Sequence, residues 1–356
     1  MVGSINRVLR RTSAKAALAV AGAVALTAAG LGMGAASAVD LPGGPEIPID
    51  VPPIYIPELG NLPIGPTPLG AKGAHRPVPA PTGCAKKVKP AEADAAVNAA
   101  RAGDRICVIG GASERMLIIR APEKPQPQIN LVGDGSAIKG IFVVASNVVI
   151  ENFNSIDAEA PGVLIKGHNM TLRNMVIDNP KDADNDGIRF FGSRLRILNN
   201  TITNVRNTDG AHADCMQTYS KDGDPKPPVV IYNDPSWDVL IDSNRCEGID
   251  NQCLIAEGPN DGEGSGQGHS RDIIFSRNLC DATGLAYQTV MLEDIQRMTI
   301  AFNDIKGPIR KAFAFDIGST EGKVVGNRLD PRIPCHVGMD ESSKPGYLGP
   351  APTCEP

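Results

Sequence analysis

One short phrase returns along the chain from about Asn147 to Asp330: apolar, any, apolar, any, any, Asn, any, apolar. It reads Leu195, Ile197, Asn200, Ile202, then Val239, Ile241, Asn244, Cys246, then Ile273, Phe275, Asn278, Cys280, then Met298, Ile300, Asn303, Ile305. A looser copy ends in Val324, Asn327 and Leu329, and two earlier copies carry the Asn one position sooner, at Asn152 and Asn174, where Asn199 also sits. With Ile150, Leu172, Ile197, Ile241, Phe275, Ile300 and Val324 as equivalents, the steps are 22, 25, 44, 34, 25 and 24 residues. Short steps are single coils, and the two long ones contain inserts. A period in the low twenties is too short for paired helices, and the leucine-rich signature is missing, so stacked β coils fit. Inward residues at i and i+2 then stack on their equivalents above and below. The recurrent Asn is expected to turn the chain, because Asn tolerates the left-handed region.

Residues 1–38 read as an export signal: Arg7, Arg10, Arg11 and Lys15 precede an Ala-rich apolar run, and Ala36-Ser37-Ala38 is a small-x-small cleavage site. Residues 39–82 are crowded with proline and read as an extended spacer. The folded domain is expected over 83–330, with a C-terminal cap or tail over 331–356. Ala93, Ala96, Val97 and Ala100 recur at helical spacing before Gly103, a candidate C-cap. Such a helix would cover the first coil, whose open sheet edge would otherwise be exposed. The strands Gly103–Gly111 and Ile129–Gly135 follow. This order of helix, GD-apolar strand and apolar-GDG strand resembles the opening of secreted bacterial pectate-lyase-like proteins. The resemblance implies an all-β chain, a right-handed parallel β-helix solenoid with a short N-terminal capping helix.

The formal net charge of −5 includes a basic signal, so the remainder is more acidic and offers no basic field for nucleic acid. No stretch after the signal is long and apolar enough to span a bilayer. The expected product is a secreted, extracellular monomer. All eight cysteines follow the signal, an even number suited to an oxidising compartment. The repeat register suggests Cys215 with Cys253 and Cys246 with Cys280, with a local Cys246 to Cys253 bridge as the rival. Cys84 with Cys107 and Cys335 with Cys354 would pin the two ends.

Chemistry is expected on a second ladder, in which Ile188, Met216, Leu254, Val290 and Leu292 point inward. Arg189, Gln217, Tyr219, Glu257, Glu293 and Asp316 then point outward and line a groove. The inserts Lys221–Ser236 and Pro259–His269 directly follow this strand, and loops on one face of a solenoid usually build its binding face. Arg206–Gln217 is the densest polar stretch and brings His212, Asp214 and Gln217 together. His212 is a candidate general base, Asp214 its orienting partner or a cation ligand, and Arg189, Arg310 and Lys311 candidate neutralisers of a substrate carboxylate, with Arg189 the best placed. The H-x-D-x-x-Q pattern resembles one found in secreted bacterial β-helix proteins, and a turn with capping side chains explains it equally well. Tyr219 is the candidate sugar-stacking ring. Asp182, Asp184 and Asp186 alternate before Gly187 like the first half of a calcium loop, so Ca2+ is the candidate cofactor, with an acidic turn as the alternative. Asn207-Thr208-Asp209-Gly210 resembles the NTDG of polygalacturonase-type hydrolases, which would make Asp209 an acid/base carboxylate, although the later spacing departs from that family. Three functions remain open on these residues. The first is a lyase acting on an extracellular uronic-acid polysaccharide, the second a glycoside hydrolase using the same groove, and the third a non-catalytic glycan-binding protein of the cell envelope.

Overall fold

The computed structural model describes residues 78, 80–121, 123–159, 161–181, 185–207, 212–220, 235–258, 270–283 and 286–356. All of them belong to the second of two compact units, Asn61–Pro356. The export signal, the spacer up to residue 77, Asp182, Asp184, Asp209 and nearly all of both inserts lie outside the described residues.

The chain winds as a right-handed parallel β-helix. Each full coil contributes a strand to each of three parallel ladders. The first ladder holds the repeated phrase, in Trp237–Asp242, Ser270–Ser276, Thr299–Ala301 and Lys323–Val325. After a turn comes the second, in Thr201–Thr203, Arg245–Ile249, Leu279–Ala282 and Asp304–Lys306. The third carries the expected groove, in Met216–Tyr219, Leu254–Glu257, Gln288–Glu293 and Lys311–Asp316. Two long strands, Val163–Arg173 and Ile188–Leu198, turn the corner between the groove ladder and the first ladder without a break. Glycine makes that corner possible. Gly192 has φ +113°, and a Cβ there would lie 2.0 Å from the Gly167 carbonyl oxygen.

The repeat register read from the sequence holds rung for rung. Leu131, Ile150, Leu172, Ile197, Ile241, Phe275, Ile300 and Val324 are successive parallel partners, and all are buried. Each buried side chain of this kind stabilises by roughly 1.5–3 kcal/mol relative to exposure, so the stack is a continuous core.

The role of asparagine differs from the expectation, and the two offsets of Asn in the repeat explain why. The left-handed turn falls two residues after the core position, at Asn152, Asn174, Asn199, Ser243, Arg277, Phe302 and Gly326, all with φ between 52° and 65°. The Asn of the repeated phrase lies one residue later and does not turn the chain. Asn200, Asn244, Asn278, Asn303 and Asn327 form an internal ladder, each side-chain amide donating to the next side-chain carbonyl at 2.9–3.1 Å. Each amide also donates to a backbone carbonyl on the first ladder, and each side-chain carbonyl from Asn244 onward accepts the backbone N–H of the preceding ladder Asn. Polar turns are thereby carried through the interior without unpaired groups.

Both ends depart in detail from the sequence reading. The capping helix is Ala93–Ala99, with Ala93, Ala96 and Val97 buried, and it ends before Gly103, whose N–H donates to the Pro127 carbonyl. Gly103 is therefore a turn residue and not the C-cap. A short strand, Lys86–Val88, precedes the helix and pairs with Arg105–Val108. At the other end the groove ladder gains one more rung, Cys335–Met339, inside the expected tail. Among the described residues no helix is long and apolar enough to cross a membrane.

Four disulfides are present. Cys84–Cys107 and Cys335–Cys354 are as expected, but the interior bridges are Cys215–Cys246 and Cys253–Cys280. Cys246 and Cys280 are register partners, and so are the residues following Cys215 and Cys253. Stacked side chains on parallel strands run side by side at the strand spacing, about 4.8 Å, whereas a disulfide needs its Cβ atoms about 3.8 Å apart. Cysteines facing each other across the interior converge instead, with Cα separations of 6.0 and 5.9 Å. The sulfurs of Cys215, Cys246 and Cys253 lie within 4.8 Å of one another, so the two bridges stack. Non-reducing peptide mapping after cleavage at Glu247 and at basic residues is expected to give Cys215 linked to Cys246. A Cys246 to Cys280 peptide would contradict this pairing.

Candidate active site

The groove ladder sets its outward side chains in two rows along the solenoid. One row runs Arg189, Gln217, Ile255, Met291, Ala314. The other runs Tyr219, Glu257, Glu293, Asp316, and continues to Asp340 beyond the last paired residue, Met339. The expected inward residues Ile188, Met216, Leu254, Val290 and Leu292 are all fully buried. Alternation on a pleated strand therefore delivers the carboxylates to one face, stacked on consecutive rungs.

Proximity and burial shift these acids. Burial, reinforced by the charges of Glu293 and Asp214, pushes Glu257 up to about 7. Burial also raises Glu293, with Asp316 adding to it, and raises Asp316. Like charges on neighbouring rungs cannot all ionise cheaply, so the row holds protons that isolated carboxylates would have lost.

His212 and Asp214 meet as the sequence suggested. Asp214 is fully buried, its Oδ2 lies 3.1 Å from His212 Nδ1, and its Oδ1 accepts the Gln252 N–H at 2.9 Å. Oδ2 has no aligned donor among the described residues, so the approach of His212 is a close contact of imperfect alignment. The Asp214 carboxylate raises the His212 pKa, and burial raises that of Asp214. His212 keeps a half-exposed side chain and also senses the charge of Glu257.

Arg189 and Gln217 are brought together, at 3.1 Å between Nε and Oε1. Arg189, however, is buried and clamped by Asp186, with Nε and Nη2 at 2.7 and 2.5 Å from Oδ2. The other Asp186 oxygen accepts the Asp214 N–H at 2.8 Å. Both oxygens of Asp186 thus have internal partners, and Asp186 meets the charge of Arg189. The position of Arg189 between two rungs braces the turn that carries His212 and Asp214. Tyr219 packs edge-on against buried Phe191, with ring centroids 5.1 Å apart.

Two contributors, Gln252 and Asp340, and the role of Asp186 on Arg189 were missed by sequence reasoning. Gln252 borders the floor, with Nε2 at 3.8 Å from Met291 Sδ. Asp340 extends the acidic row, and Asp186 clamps Arg189 from within a motif that looked like a metal loop. The i, i+3 spacing of Asp186 and Arg189 was the one available signal for the clamp.

The pH dependence of stability follows from these shifts. Glu257 has a folded pKa near 7 against an ordinary 4.5, so its contribution is fully present below about 4.5 and is lost as pH rises to about 7. His212, also raised, adds loss in the same direction at and above neutrality. Asp157 and Asp272 are lowered by Lys181 and Arg297, and their stabilisation is lost as pH falls through the acid range below about 3.8. The melting temperature should fall between about pH 5 and pH 8, and Glu257→Gln should flatten that limb. A wild-type curve that rises across this range would refute the assignment.

No protein-family model and no curated protein matches the chain. Solved structures similar to it include an alginate lyase from Paenibacillus sp. str. FPU-7, at 12% identity, covering 74% of this chain and 98% of that one, with a TM-score of 0.49. A tailspike protein mutant of E. coli bacteriophage HK620, in complex with a pentasaccharide, is 12% identical over 69% of this chain and 57% of its own length, with a TM-score of 0.39. The A-module of a mannuronan C-5 epimerase from Azotobacter vinelandii is 9% identical over 71% and 83%, with a TM-score of 0.30. Likenesses this distant leave the reaction and the substrate to be argued from this chain's own residues.

Proposed function

We propose that this chain is an exported glycoside hydrolase, cleaving a polysaccharide in the groove with Glu257 as general acid. One observation carries the reading: a groove carboxyl with a pKa of about 7, stacked in register on a second carboxylate, Glu293. A carboxyl that holds its proton near neutrality, stacked beside a second carboxyl, is the pairing glycosidic cleavage uses. Adjacent rungs are about 4.8 Å apart, close to the separation of roughly 5–5.5 Å that accompanies retention of configuration. Glu257 would protonate the glycosidic oxygen as its bond to the anomeric carbon breaks, while Glu293 attacks that carbon. Glu257 would then take a proton from the water that releases the sugar from Glu293. His212 and Asp214 tune Glu257 through their charges. Four disulfides support a site of action outside a reducing cytosol.

A second reading, elimination from a uronic-acid polysaccharide, is favoured by one observation, the half-exposed His212 held by buried Asp214, which suits a base. The test follows reducing ends and unsaturated-product absorbance together across neutral and acidic polysaccharides. Reducing ends alone support hydrolysis, both signals rising support elimination, and neither signal on any polymer removes both readings.

A further inference from the structure

We infer that Tyr287 and Arg310 form an anion-binding subsite on the groove wall opposite the carboxylates, and that the substrate is therefore an acidic polysaccharide. This rests on the hydrolase reading for the position of the cleaved bond, although the subsite itself stands on its own geometry. Tyr287, immediately before the strand Gln288–Glu293, is 48% exposed, which is unusual for a large ring in a chain that buries its aromatics. The Arg310 guanidinium lies 4.9 Å from its ring centroid and the Lys311 ammonium 4.8 Å. Both cations therefore lie against the same ring. The ring quadrupole attracts each of them, and two cations gathered at one exposed ring suit an anionic ligand.

Among the described residues no side-chain carboxylate supplies such an anion to Arg310. Arginines elsewhere meet carboxylates directly, as Arg173 meets Glu151, Arg277 meets Asp242 and Arg297 meets Asp272. Arg310 enters no ion pair among the described residues and is exposed. Lys311 is buried and donates to a main-chain oxygen of Pro356, which leaves the exposed Arg310 as the group that faces a ligand. A carboxylate or sulfate ester on a sugar would complete the arrangement, and the planar guanidinium is the group best shaped to hold it.

The position suits a polymer bound along the solenoid. Lys311 is the register partner of Gln288, and its strand lies two rungs from the one bearing Glu257, about 10 Å along the axis. The groove floor between is Met291 and Ala314, with the acidic row on one side and this cationic corner on the other. An acidic sugar is then excluded from one wall and held at the other, which fixes its orientation.

The test uses the full chain carrying Glu257→Gln, so that binding is read without turnover. Its affinity is measured by calorimetry for a uronic-acid hexasaccharide, its carboxyl-reduced counterpart and a sulfated neutral hexasaccharide. Adding Arg310→Ala is expected to weaken the anionic ligand about tenfold or more, since a charge-assisted hydrogen bond is lost, and to leave the carboxyl-reduced sugar unchanged. Arg310→Lys should restore part of the loss, and the difference should shrink in high salt. Loss on the uronate identifies a carboxylate, and loss on the sulfated sugar alone identifies a sulfate ester. Equal affinities with and without Arg310, equal losses on charged and uncharged sugars, or no binding by any anionic sugar would each overturn the subsite. Because the readout is binding, absence of product from the parent protein would remove the hydrolase reading without deciding this one.

Discussion

Glu257→Gln should lower kcat by roughly 10²–10⁴-fold while leaving the fold and glycan affinity intact. The amide keeps the size and burial of the side chain but cannot protonate a leaving oxygen. It also removes the group whose pKa near 7 would set the alkaline limb of activity, so the residual rate should lose its fall through neutrality. Glu293→Gln should be as severe by a different route, because it removes the nucleophile and also relieves Glu257 of a neighbouring charge, lowering its pKa. Substrates with good leaving groups separate the two, since they need little protonation and should partly rescue the first variant but not the second. A Glu257→Gln enzyme with unchanged kcat on a natural polymer would end the general-acid assignment.

Asn278→Ala should cost roughly 3–5 kcal/mol of stability, the largest loss expected from a single polar side chain. Its amide donates to the Ile241 carbonyl and to Asn303, and its carbonyl accepts both the backbone N–H and the amide of Asn244. Truncation leaves several fully buried groups without partners and opens a space in the middle of the ladder. Asn327→Ala provides the contrast, because that rung is only partly buried and water can replace some of what is lost. Denaturant midpoints for the two variants should therefore differ by several-fold in their shift, and equal shifts would mean the ladder is not an internal structure.

What the sequence revealed and what it hid have a common physical cause. A repeat reports register along the solenoid, and register alone placed Ile150 through Val324 in one stack and Glu257, Glu293 and Asp316 in one row. It does not report which side chains converge across the interior. Cys246 and Cys280 therefore looked like a pair because they stack, while the bridges formed between facing walls. The same blindness concealed the clamp of Asp186 on Arg189. The Asn ladder hid behind chemistry that suits asparagine twice: it tolerates the left-handed turn at Asn174 and Asn199, and it bridges coils at Asn200 and Asn244. Only the one-residue offset distinguishes these uses. The last rung, Cys335–Met339, lies outside the phrase, where periodicity carries no information, and Arg310 was legible as a candidate while its contact with Tyr287 was not.

The most direct test of the central claim is a carboxyl-carbon NMR titration of Glu257 in the folded chain, assigned by its disappearance in Glu257→Gln. The account predicts a midpoint near 7, moving down when Glu293 is replaced by Gln. A midpoint near the ordinary 4.5 would show an acid already ionised at neutrality, and Glu257 could not then be the proton donor.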